Sequence, residues 1–250
     1  MKALVTGASS GIGKKIAIEL AKRNYDLILV SRDEEKLKEV KKEINTNSKI
    51  IAMDLSNKEN CERLYYETKN DNIDILVNNA GFGVHGEFAN TNLEKEVKML
   101  ETNVIAVNIL MKLYLKDMIE KNSGHILNVA SMAAFGPGPL MSAYYASKAY
   151  VYRLSQGVKT ELKKQKSNVK ISVLCPGPVR TNFNKVAGVN FAAPSLSSEY
   201  VAKYAVRKML KNKFTIVPGT LMKITRVLEK IAPHNLVGNI SYFVNYKKNK

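Results

Sequence analysis

The sequence predicts an α/β fold in one domain, a doubly wound parallel sheet of about seven strands with helices on both faces. Two observations lead to this prediction. Short apolar runs alternate along the chain with longer amphipathic segments, which is typical of parallel strands joined by right-handed crossover helices. No linker, tandem repeat or low-complexity stretch divides the 250 residues, so a single domain is the simplest organisation.

The predicted strands are short and rich in Val, Ile and Leu, with few polar interruptions. Unbroken apolar runs of this kind are typical of parallel strands that are covered on both faces. The runs are Lys2–Thr6, Asp26–Val30, Lys49–Met53, Ile73–Val77, His125–Val129, Val169–Leu174 and Phe214–Val217.

The segments between these runs place apolar residues at helical spacing, which predicts amphipathic helices packed on the sheet. Each is long enough to carry the chain back across the sheet for the next parallel strand. The segments are Gly11–Arg23, Asp33–Asn45, Asn57–Lys69, Leu93–Lys121, Ser142–Gln165 and Ser197–Lys211.

Composition narrows the class of protein. Hydrophobic residues make up 45% of the chain and charged residues 24%, as in ordinary globular proteins. No apolar run reaches the roughly 18–20 residues that span a bilayer.

The strand pattern beginning at Lys2 leaves no room for a signal peptide, so we expect a cytoplasmic protein. Cys61 and Cys175 lie far apart without metal-ligand spacing; we expect reduced thiols and no metal site.

Positive charge is concentrated at one end of the chain. The formal net charge is +17, and residues 151–250 contain 19 basic but only three acidic residues. This asymmetry favours a basic surface that faces an anionic partner, either a membrane surface or an acidic acyl carrier. No nucleic-acid recognition motif is present, so we expect no specific nucleic-acid partner.

A glycine-rich turn joins the first predicted strand to the first helix. Its three glycines permit a tight turn and a close approach of the backbone to a pyrophosphate, which the N-terminus of the helix then faces. A plain strand–helix turn would not need three glycines. The turn therefore predicts a dinucleotide site that includes Gly7, Ser9, Ser10, Gly11, Ile12 and Gly13.

The end of the second strand indicates which dinucleotide is bound. NAD sites usually have an acidic residue here that holds the ribose hydroxyls; this chain has Ser31 followed by Arg32. A guanidinium binds a 2′-phosphate through paired, charge-assisted hydrogen bonds, so we predict NADP(H). In the alternative, Arg32 only caps its strand and Asp33 is the ribose-binding acid.

Two further strand ends carry candidate cofactor residues. Asp54 and Leu55 follow the third strand, where a carboxylate can accept from the adenine amino group. The segment Asn78–Gly81 follows the fourth strand. Its small residues, Ala80 and Gly81, let the backbone pass beside the adenine ribose, and its amides, including Asn79, can tie neighbouring strands together.

The strongest chemical pattern combines Ser131, Tyr144 and Lys148. Tyr144 and Lys148 are four residues apart in a helical segment, so they share a face. An ammonium beside a phenol favours the phenolate, and we expect it to lower the tyrosine pKa from about 10. Ser131 follows the fifth strand, at the sheet edge where ligands bind in such folds. The three side chains predict acid–base chemistry on a carbonyl or an alcohol.

Together these motifs resemble the short-chain dehydrogenase/reductase family, in its single-domain branch of about 250 residues. The resemblance covers residues 1 to about 217 and implies a Rossmann-type fold. It also includes Asn103 and the segment from Pro176 to Thr181. No catalytic residue of the family pattern is missing.

The resemblance implies a role for each of these positions. Tyr144 would be the general acid and base, Ser131 would orient the carbonyl, and Lys148 would hold the nicotinamide ribose. Asn103 would position a water in a proton relay. In the Pro-Gly segment, the expected cofactor residues are Pro176, Gly177, Val179 and Thr181. The family also implies a homodimer or homotetramer built on the Leu93–Lys121 and Ser142–Gln165 helices.

Two largely apolar loops, Met132–Ser142 and Asn182–Ser198, are expected to line the substrate pocket. They favour an apolar carbonyl compound over a sugar. The leading prediction is therefore an NADP(H)-dependent reductase of ketones or aldehydes with a small-molecule, lipid-like substrate such as a 3-oxoacyl group. The alternatives are a peripheral membrane-associated lipid reductase and a non-catalytic NADP-binding regulator.

The last predicted feature is a basic amphipathic extension, residues 218–250, after an NADP-binding catalytic domain of residues 1–217. A helix over about Gly219–Ile231 has Leu221, Ile224, Val227, Leu228 and Ile231 on one face, with basic residues opposite. A second apolar segment follows Pro233. Either both segments pack on the domain or on a partner subunit, or they lie on an anionic membrane.

Overall fold

The computed structural model describes residues 1–183, 187–188 and 195–246, apart from the side chains of Lys230 and His234. Seven strands form one parallel sheet, because each pairs in the same direction as its neighbours. These strands are β1 (Lys2–Thr6), β2 (Asp26–Ser31), β3 (Ser48–Ala52), β4 (Ile75–Asn78), β5 (His125–Val129), β6 (Lys170–Leu174) and β9 (Thr215–Ile216).

The strand order is β3-β2-β1-β4-β5-β6-β9, so the chain winds outward from β1 in both directions. This is the predicted doubly wound sheet. β1 is completely covered, with Leu4 fully buried. Two short strands outside the sheet, β7 (Val179–Arg180) and β8 (Leu196–Ser197), pair with each other and were not predicted.

Helices cover both faces of the sheet. Before the last strand of the sheet these are α1 (Gly11–Ala21), α2 (Glu34–Lys42), α3 (Lys58–Thr68), α4 (Leu93–Leu100), α5 (Ala106–Glu120), α6 (Ser142–Lys164) and α7 (Ser198–Met209). One core cluster joins α1, α2 and α7 to the sheet, and the other joins α3, α5 and α6 to its opposite face.

The single helix predicted over Leu93–Lys121 has an irregularity in its middle. A π-helical turn, Glu101–Ile105, separates α4 from α5. Such turns insert one extra residue per turn and are frequent at functional sites. The turn contains Asn103, which is fully buried.

Two further helices, α8 (Thr220–Ile231) and α9 (His234–Tyr246), follow the last strand. The predicted tail helix is confirmed, and the apolar pattern after Pro233 is a second helix. The apolar side of α8 is not covered by the described part of the domain: Leu221 and Leu228 are 60% and 56% exposed. The mixed side of α8, with Met222 and Arg226, turns inward instead. The division at residue 217 stays a prediction.

Candidate active site

The candidate site lies along the edge of the sheet at which the parallel strands end. The glycine turn follows β1, Asp54 follows β3, and the Asn78–Gly81 segment follows β4. Ser131 and Pro176 follow β5 and β6. Because all of these strands point the same way, residues spread over most of the chain are brought to one cleft.

The glycine turn is shaped by conformation and by close packing. Gly7 and Gly11 have positive φ angles of +64° and +55°, which disfavour other residues. A Cβ at Gly13 would lie 2.3 Å from the carbonyl oxygen of Gly7 and from Nδ2 of Asn79. The turn is therefore pressed against the segment after β4, with no room for a side chain.

The first turn of α1 lacks the side-chain cap that four other helices have. Asp33, Asn57, Asn92 and Ser197 each cap a helix by accepting a hydrogen bond from a backbone N–H group. Ser10, at the same position before α1, makes no such side-chain bond. The N–H groups that begin α1 thus keep their positive dipole end unmasked, as an anion-binding helix start requires. The residues present fit a dinucleotide pyrophosphate here.

A hydrogen-bond clamp joins the ends of β1 and β4. The hydroxyl of Thr6 accepts from the backbone N–H groups of Asn79 and Ala80, at 2.9 and 3.0 Å. Nδ2 of Asn79 donates back to the carbonyl oxygens of Thr6 and Gly7, at 2.9 and 3.2 Å. The predicted tie between strands is present.

The contacts after β2 distinguish between the two interpretations of Arg32 and Asp33. Ser31 donates to the hydroxyl of Ser9 in the glycine turn, at 2.8 Å, and Arg32 is exposed. The Asp33 carboxylate accepts from the backbone N–H and the side chain of Lys36. The Lys36 side-chain bond holds the pKa of Asp33 below its usual value. Asp33 is thus engaged in capping α2, while Arg32 stands exposed at the strand end.

Asp54 is held in place at the end of β3. Its carboxylate accepts from the backbone N–H and hydroxyl of Ser56, at 3.0 and 2.9 Å, and pairs with Lys98 at 3.2 Å. Burial opposes ionisation, but these contacts outweigh it and lower the pKa of Asp54. Leu55 is buried beneath it.

The structure brings Ser131, Tyr144 and Lys148 together. The side chain of Ser131 lies close enough to Tyr144 to favour its ionised form, against the larger effect of burial. Nζ of Lys148 lies 5.9 Å from the centre of the Tyr144 ring and donates to the carbonyl oxygen of Val129, at 3.1 Å. Tyr144 and Lys148 are both at least nine-tenths buried, because α6 lays this face across the ends of β5 and β6.

The expected direction of the Tyr144 pKa is wrong for this arrangement. Burial raises the pKa of Tyr144, and it lowers the pKa of Lys148 to about 8. Desolvation penalises the charged form of both groups. At its distance from the ring, and bonded to a carbonyl, the ammonium does not offset that penalty. The phenol is therefore protonated at neutral pH.

The π turn aims Asn103 at the segment after β4. Its Oδ1 accepts from the N–H of Phe82 at 3.1 Å, and its Nδ2 donates to the carbonyl of Phe82 at 2.9 Å and to Ser147 at 3.1 Å. A Cβ at Gly81 would lie 2.6 Å from Oδ1 of Asn103 and 3.3 Å from Nζ of Lys148. The side chain of Asn103 thus locks the Gly81 segment and α6 together.

The Pro-Gly segment after β6 forms the opposite side of the cleft. The carbonyl of Pro176 accepts from the N–H of Met132 at 2.9 Å, which connects it to the loop that carries Ser131. The side chain of Thr181 approaches within 3.2 Å of a Cβ built at Gly11. Val179 is buried, and Gly177 contacts the tail.

Apolar side chains surround Tyr144 on its open side. The ring of Phe183 is centred 5.4 Å from that of Tyr144, and Val84 and Met141 belong to the same cluster. Of the two predicted pocket loops, Met132–Ser142 is described throughout. In the second loop, Val186, Val189 and Phe191 lie outside the described residues.

The sequence interpretation missed that the tail covers the cleft. Asn245 of α9 is fully buried; its Nδ2 donates to the carbonyl of Pro139 at 2.8 Å, and its Oδ1 accepts from Tyr145 at 3.5 Å. A Cβ at Gly177 would collide with Met222 of α8. One feature of the sequence could have indicated that the tail has a buried side: Glu229 is the one acidic residue after Glu199 in this basic region.

Two polar atoms on the inner side of α8 are buried without a hydrogen-bond partner in the described part of the chain. They are Nε of Arg226 and Oε2 of Glu229. The Arg226 guanidinium lies 4.9 Å above the Phe135 ring and donates to the Tyr152 hydroxyl at 3.3 Å. Burial raises the pKa of Glu229 to about 7.

The described residues contain neither a metal site nor a membrane-spanning helix. No group of three His, Cys, Asp or Glu side chains is arranged to hold a metal ion. No helix in that part of the chain is both long and apolar enough to cross a membrane. Cys61 and Cys175 are buried free thiols.

Comparison with known proteins identifies the family to which this chain is similar. The model of the short chain dehydrogenase family matches residues 1–190. Ketoacyl reductase HetN of a Nostoc species is 34% identical over 236 residues, which cover 91% of this chain and 81% of the relative. A very-long-chain 3-oxoacyl-CoA reductase of Anas platyrhynchos is 35% identical over 202 residues, which cover 77% of this chain and 64% of the relative.

Solved structures agree with the sequence relatives. A short-chain dehydrogenase from Sphingobium yanoikuyae, solved in complex with NADPH, superposes with a TM-score of 0.81 at 26% identity. The match covers 93% of this chain and 96% of that one. This chain therefore belongs to the short-chain dehydrogenase family, as an oxidoreductase that acts on CH–OH groups.

Proposed function

We propose that this protein is an NADP(H)-dependent reductase that interconverts a ketone or aldehyde and an alcohol on an apolar, lipid-like substrate. The observation that carries the proposal is the buried cluster of Ser131, Tyr144 and Lys148, which lies at the same sheet edge as the uncapped start of α1. A non-catalytic regulator would have no need of this cluster.

Residues of this chain donate a proton to the substrate and orient the group that accepts it. The Tyr144 hydroxyl donates its proton to the substrate carbonyl oxygen, which the Ser131 hydroxyl orients. A reduced nicotinamide supplies, when bound, the hydride that the carbonyl carbon accepts. Burial keeps Tyr144 protonated until then. Lys148, with a pKa of about 8, is mostly charged at pH 7 and stabilises the phenolate that is left. Asn103 acts as a positioning residue through Phe82 and Ser147.

The cofactor lies along the strand ends in this proposal. The start of α1 holds the pyrophosphate, Val179 and Thr181 contact the nicotinamide carboxamide, Asp54 and Leu55 flank the adenine, and the segment after β4 flanks its ribose. NADP(H) is favoured because Arg32 is exposed while Asp33 is committed to Lys36. The Sphingobium relative was solved with NADPH and another solved neighbour with NAD, so the choice of NADP(H) rests on Arg32 and Asp33.

A lipid-like substrate is supported from two sides. Tyr144 belongs to an apolar cluster with Val84 and Met141, and its ring contacts Phe183, so its surroundings suit an apolar chain. Two relatives carry the names 3-oxoacyl-CoA reductase and ketoacyl reductase. We therefore place 3-oxoacyl compounds first among the candidate substrates.

We also propose a homo-oligomer assembled on α4, α5 and α6. Exposed apolar side chains on these helices support this assembly, including Leu93 at 73% and Val97 at 45% exposure. Burial of such side chains between subunits is favourable in proportion to the apolar area removed from water.

The test of the reaction is a panel of ketones and 3-oxoacyl thioesters assayed with NADPH and with NADH by the loss of nicotinamide absorbance. We expect NADPH-dependent turnover, with the thioesters ahead of short polar ketones. Turnover of none of them, despite tight NADPH binding, would favour the regulator instead.

The cofactor assignment is tested with Arg32→Ala. Loss of a guanidinium–phosphate pair should weaken NADPH binding by roughly ten- to a hundredfold and leave NADH binding nearly unchanged. Arg63→Ala, which removes an exposed arginine from α3, is the matched control. Equal losses for both cofactors in Arg32→Ala would contradict the assignment.

A further inference from the structure

Each tail helix presents a row of exposed apolar side chains to the outside, and we call the two rows together the outer face. On α8 it consists of Leu221, Ile224, Val227, Leu228 and Ile231, and on α9 of Leu236, Ile240, Phe243 and Val244. Each of these side chains is between 50% and 75% exposed. Apolar side chains clustered on one side of a helix in this way mark an interaction site in a globular protein, whereas scattered single residues do not.

The outward orientation is held by contacts on the other side of the two helices. Arg226 bonds to Tyr152, Met222 contacts Gly177, and Asn245 is buried against Pro139. Val237 of α9 is 7% exposed and packs on Gly136. Because α8 and α9 are each docked by their mixed side, the part of the domain that the structure describes leaves the outer face uncovered.

The basic residues near the outer face indicate what binds to it. Residues 151–250 have 19 basic and three acidic residues, and part of this charge lies beside the outer face. Lys223 of α8 and both Arg207 and Lys208 of α7 lie within 5.6 Å of the centre of the Tyr204 ring. A second copy of the chain would bring such basic surfaces together, which is unfavourable, whereas an anionic lipid surface complements them.

Aromatic side chains at the end of α9 support the same occupant. Tyr242 and Tyr246 stack with their ring centres 5.9 Å apart and are 39% and 49% exposed. Tyrosine is enriched where apolar lipid meets water, because its ring is apolar and its hydroxyl is polar. Amphipathic helices that combine an apolar face with flanking basic residues lie in the plane of such a boundary.

We propose that the outer face docks on the surface of an anionic lipid bilayer. The inner side of the same two helices touches Gly136, Pro139 and Gly177, which adjoin the loops of Ser131 and the cofactor segment. Docking therefore places the cleft beside the lipid. The delivery of a lipid-like carbonyl compound to Tyr144 rests on the proposed function; the docking itself does not.

The experiment uses the full chain with vesicles of phosphatidylcholine, with or without phosphatidylglycerol, and measures co-sedimentation. We expect binding only to the anionic vesicles, and a decrease in binding as salt shortens the range of the charge interaction. Ile224→Ser/Leu228→Ser should lower the partition coefficient by about 100-fold, because two inserted apolar side chains are lost. Tyr66→Ser/Phe88→Ser is the matched control, since these residues are at least as exposed, at 63% and 67%, but lie outside the tail.

Folding and assembly are followed separately from the reductase assay. Circular dichroism and thermal unfolding of both double variants should match the wild type, because all four side chains are more than half exposed. The docking proposal is overturned if the wild type ignores both kinds of vesicle, or if the control loses as much binding as the tail variant. It is also overturned if sedimentation velocity shows an oligomer that Ile224→Ser/Leu228→Ser dissociates and vesicles do not bind.

Discussion

The two sides of the cleft are built in opposite ways. On the sheet side, α1 turns its apolar residues inward, and Ile16 and Leu20 are fully buried. On the tail side, α8 turns its apolar residues outward, and Ile224 and Leu228 are more than half exposed. An amphipathic pattern shows that a helix has two unlike faces, but the surface available beneath the helix decides which of them turns inward.

The underlying surfaces explain the difference. α1 lies over an apolar sheet face that includes Leu27 and Leu29, with α7 beside it. α8 lies over the Tyr152 hydroxyl and the Phe135 ring, which receive the Arg226 guanidinium by a hydrogen bond and a cation–π contact. We therefore expect the sheet side to carry chemistry and stability, and the tail side to control what reaches the cleft.

The largest expected effect is on the sheet side. Tyr144→Phe removes the proton donor, and we expect kcat to fall by about 10²- to 10⁴-fold. NADPH binding, measured by fluorescence titration, should change little because only a hydroxyl is lost. The control is Tyr150→Phe, which alters an exposed tyrosine of the same helix, bonded to Asn108. Retention of more than about a tenth of kcat in Tyr144→Phe would assign the proton to another residue.

Stability should differ between the two amphipathic helices. Leu20→Ala leaves a cavity in the core and should lower the free energy of unfolding by about 2–5 kcal/mol. Leu228→Ala, at an exposed site of α8, should change it by less than about 0.5 kcal/mol. Urea unfolding of the two variants measures the contrast. Similar losses would mean that the outer face is covered in solution.

The smallest expected effect is pH-dependent and lies on the tail side. Burial raises the pKa of Glu229 from 4.5 to about 7, so its ionisation destabilises the fold. This penalty is absent below about pH 4.5, grows as the pH rises, and is complete above about pH 7. Glu229→Gln removes it and should stabilise the protein at pH 8 by on the order of 1 kcal/mol, but hardly at pH 4.

Thermal unfolding at the two pH values measures this effect. Glu62→Gln, at an exposed position of α3, is the control and should behave alike at both. Equal stabilisation by Glu229→Gln at pH 4 and pH 8 would show that Glu229 is not held in a desolvated environment.

Most of the sheet could be predicted from the sequence because its signals are local. Apolar runs such as Asp26–Val30 have few alternatives to a buried parallel strand, and the structure extends this one by a single residue to Ser31. The π turn at Glu101–Ile105 was missed, since the segments on both sides of it are amphipathic and a shift of one residue between them is hidden in a long helical pattern. The short pair β7–β8 joins residues on either side of a long loop, and no local pattern marks such a contact.

In the candidate site, too, the locally encoded features could be predicted and the features that depend on distant residues could not. The grouping of Ser131, Tyr144 and Lys148 was predictable because α6 and the end of β5 place them at one sheet edge. The Tyr144 pKa was not, because its direction depends on burial by residues distant in the sequence. The contacts of Met222 and Asn245 with the loops of the cleft could not be predicted either, since a helical pattern does not show which loops the helix packs on.

The position of β1 has a consequence for synthesis of the chain. β1 lies inside the sheet between β2 and β4, yet β4 begins only at Ile75. At about 5–20 residues per second, roughly 4–14 s pass on the ribosome between the two strands. During that interval one edge of β1 has no partner and can pair with another nascent chain. Pairing with β4 ends that exposure, and the Thr6–Asn79 clamp that shapes the glycine turn also fastens the end of this strand pair.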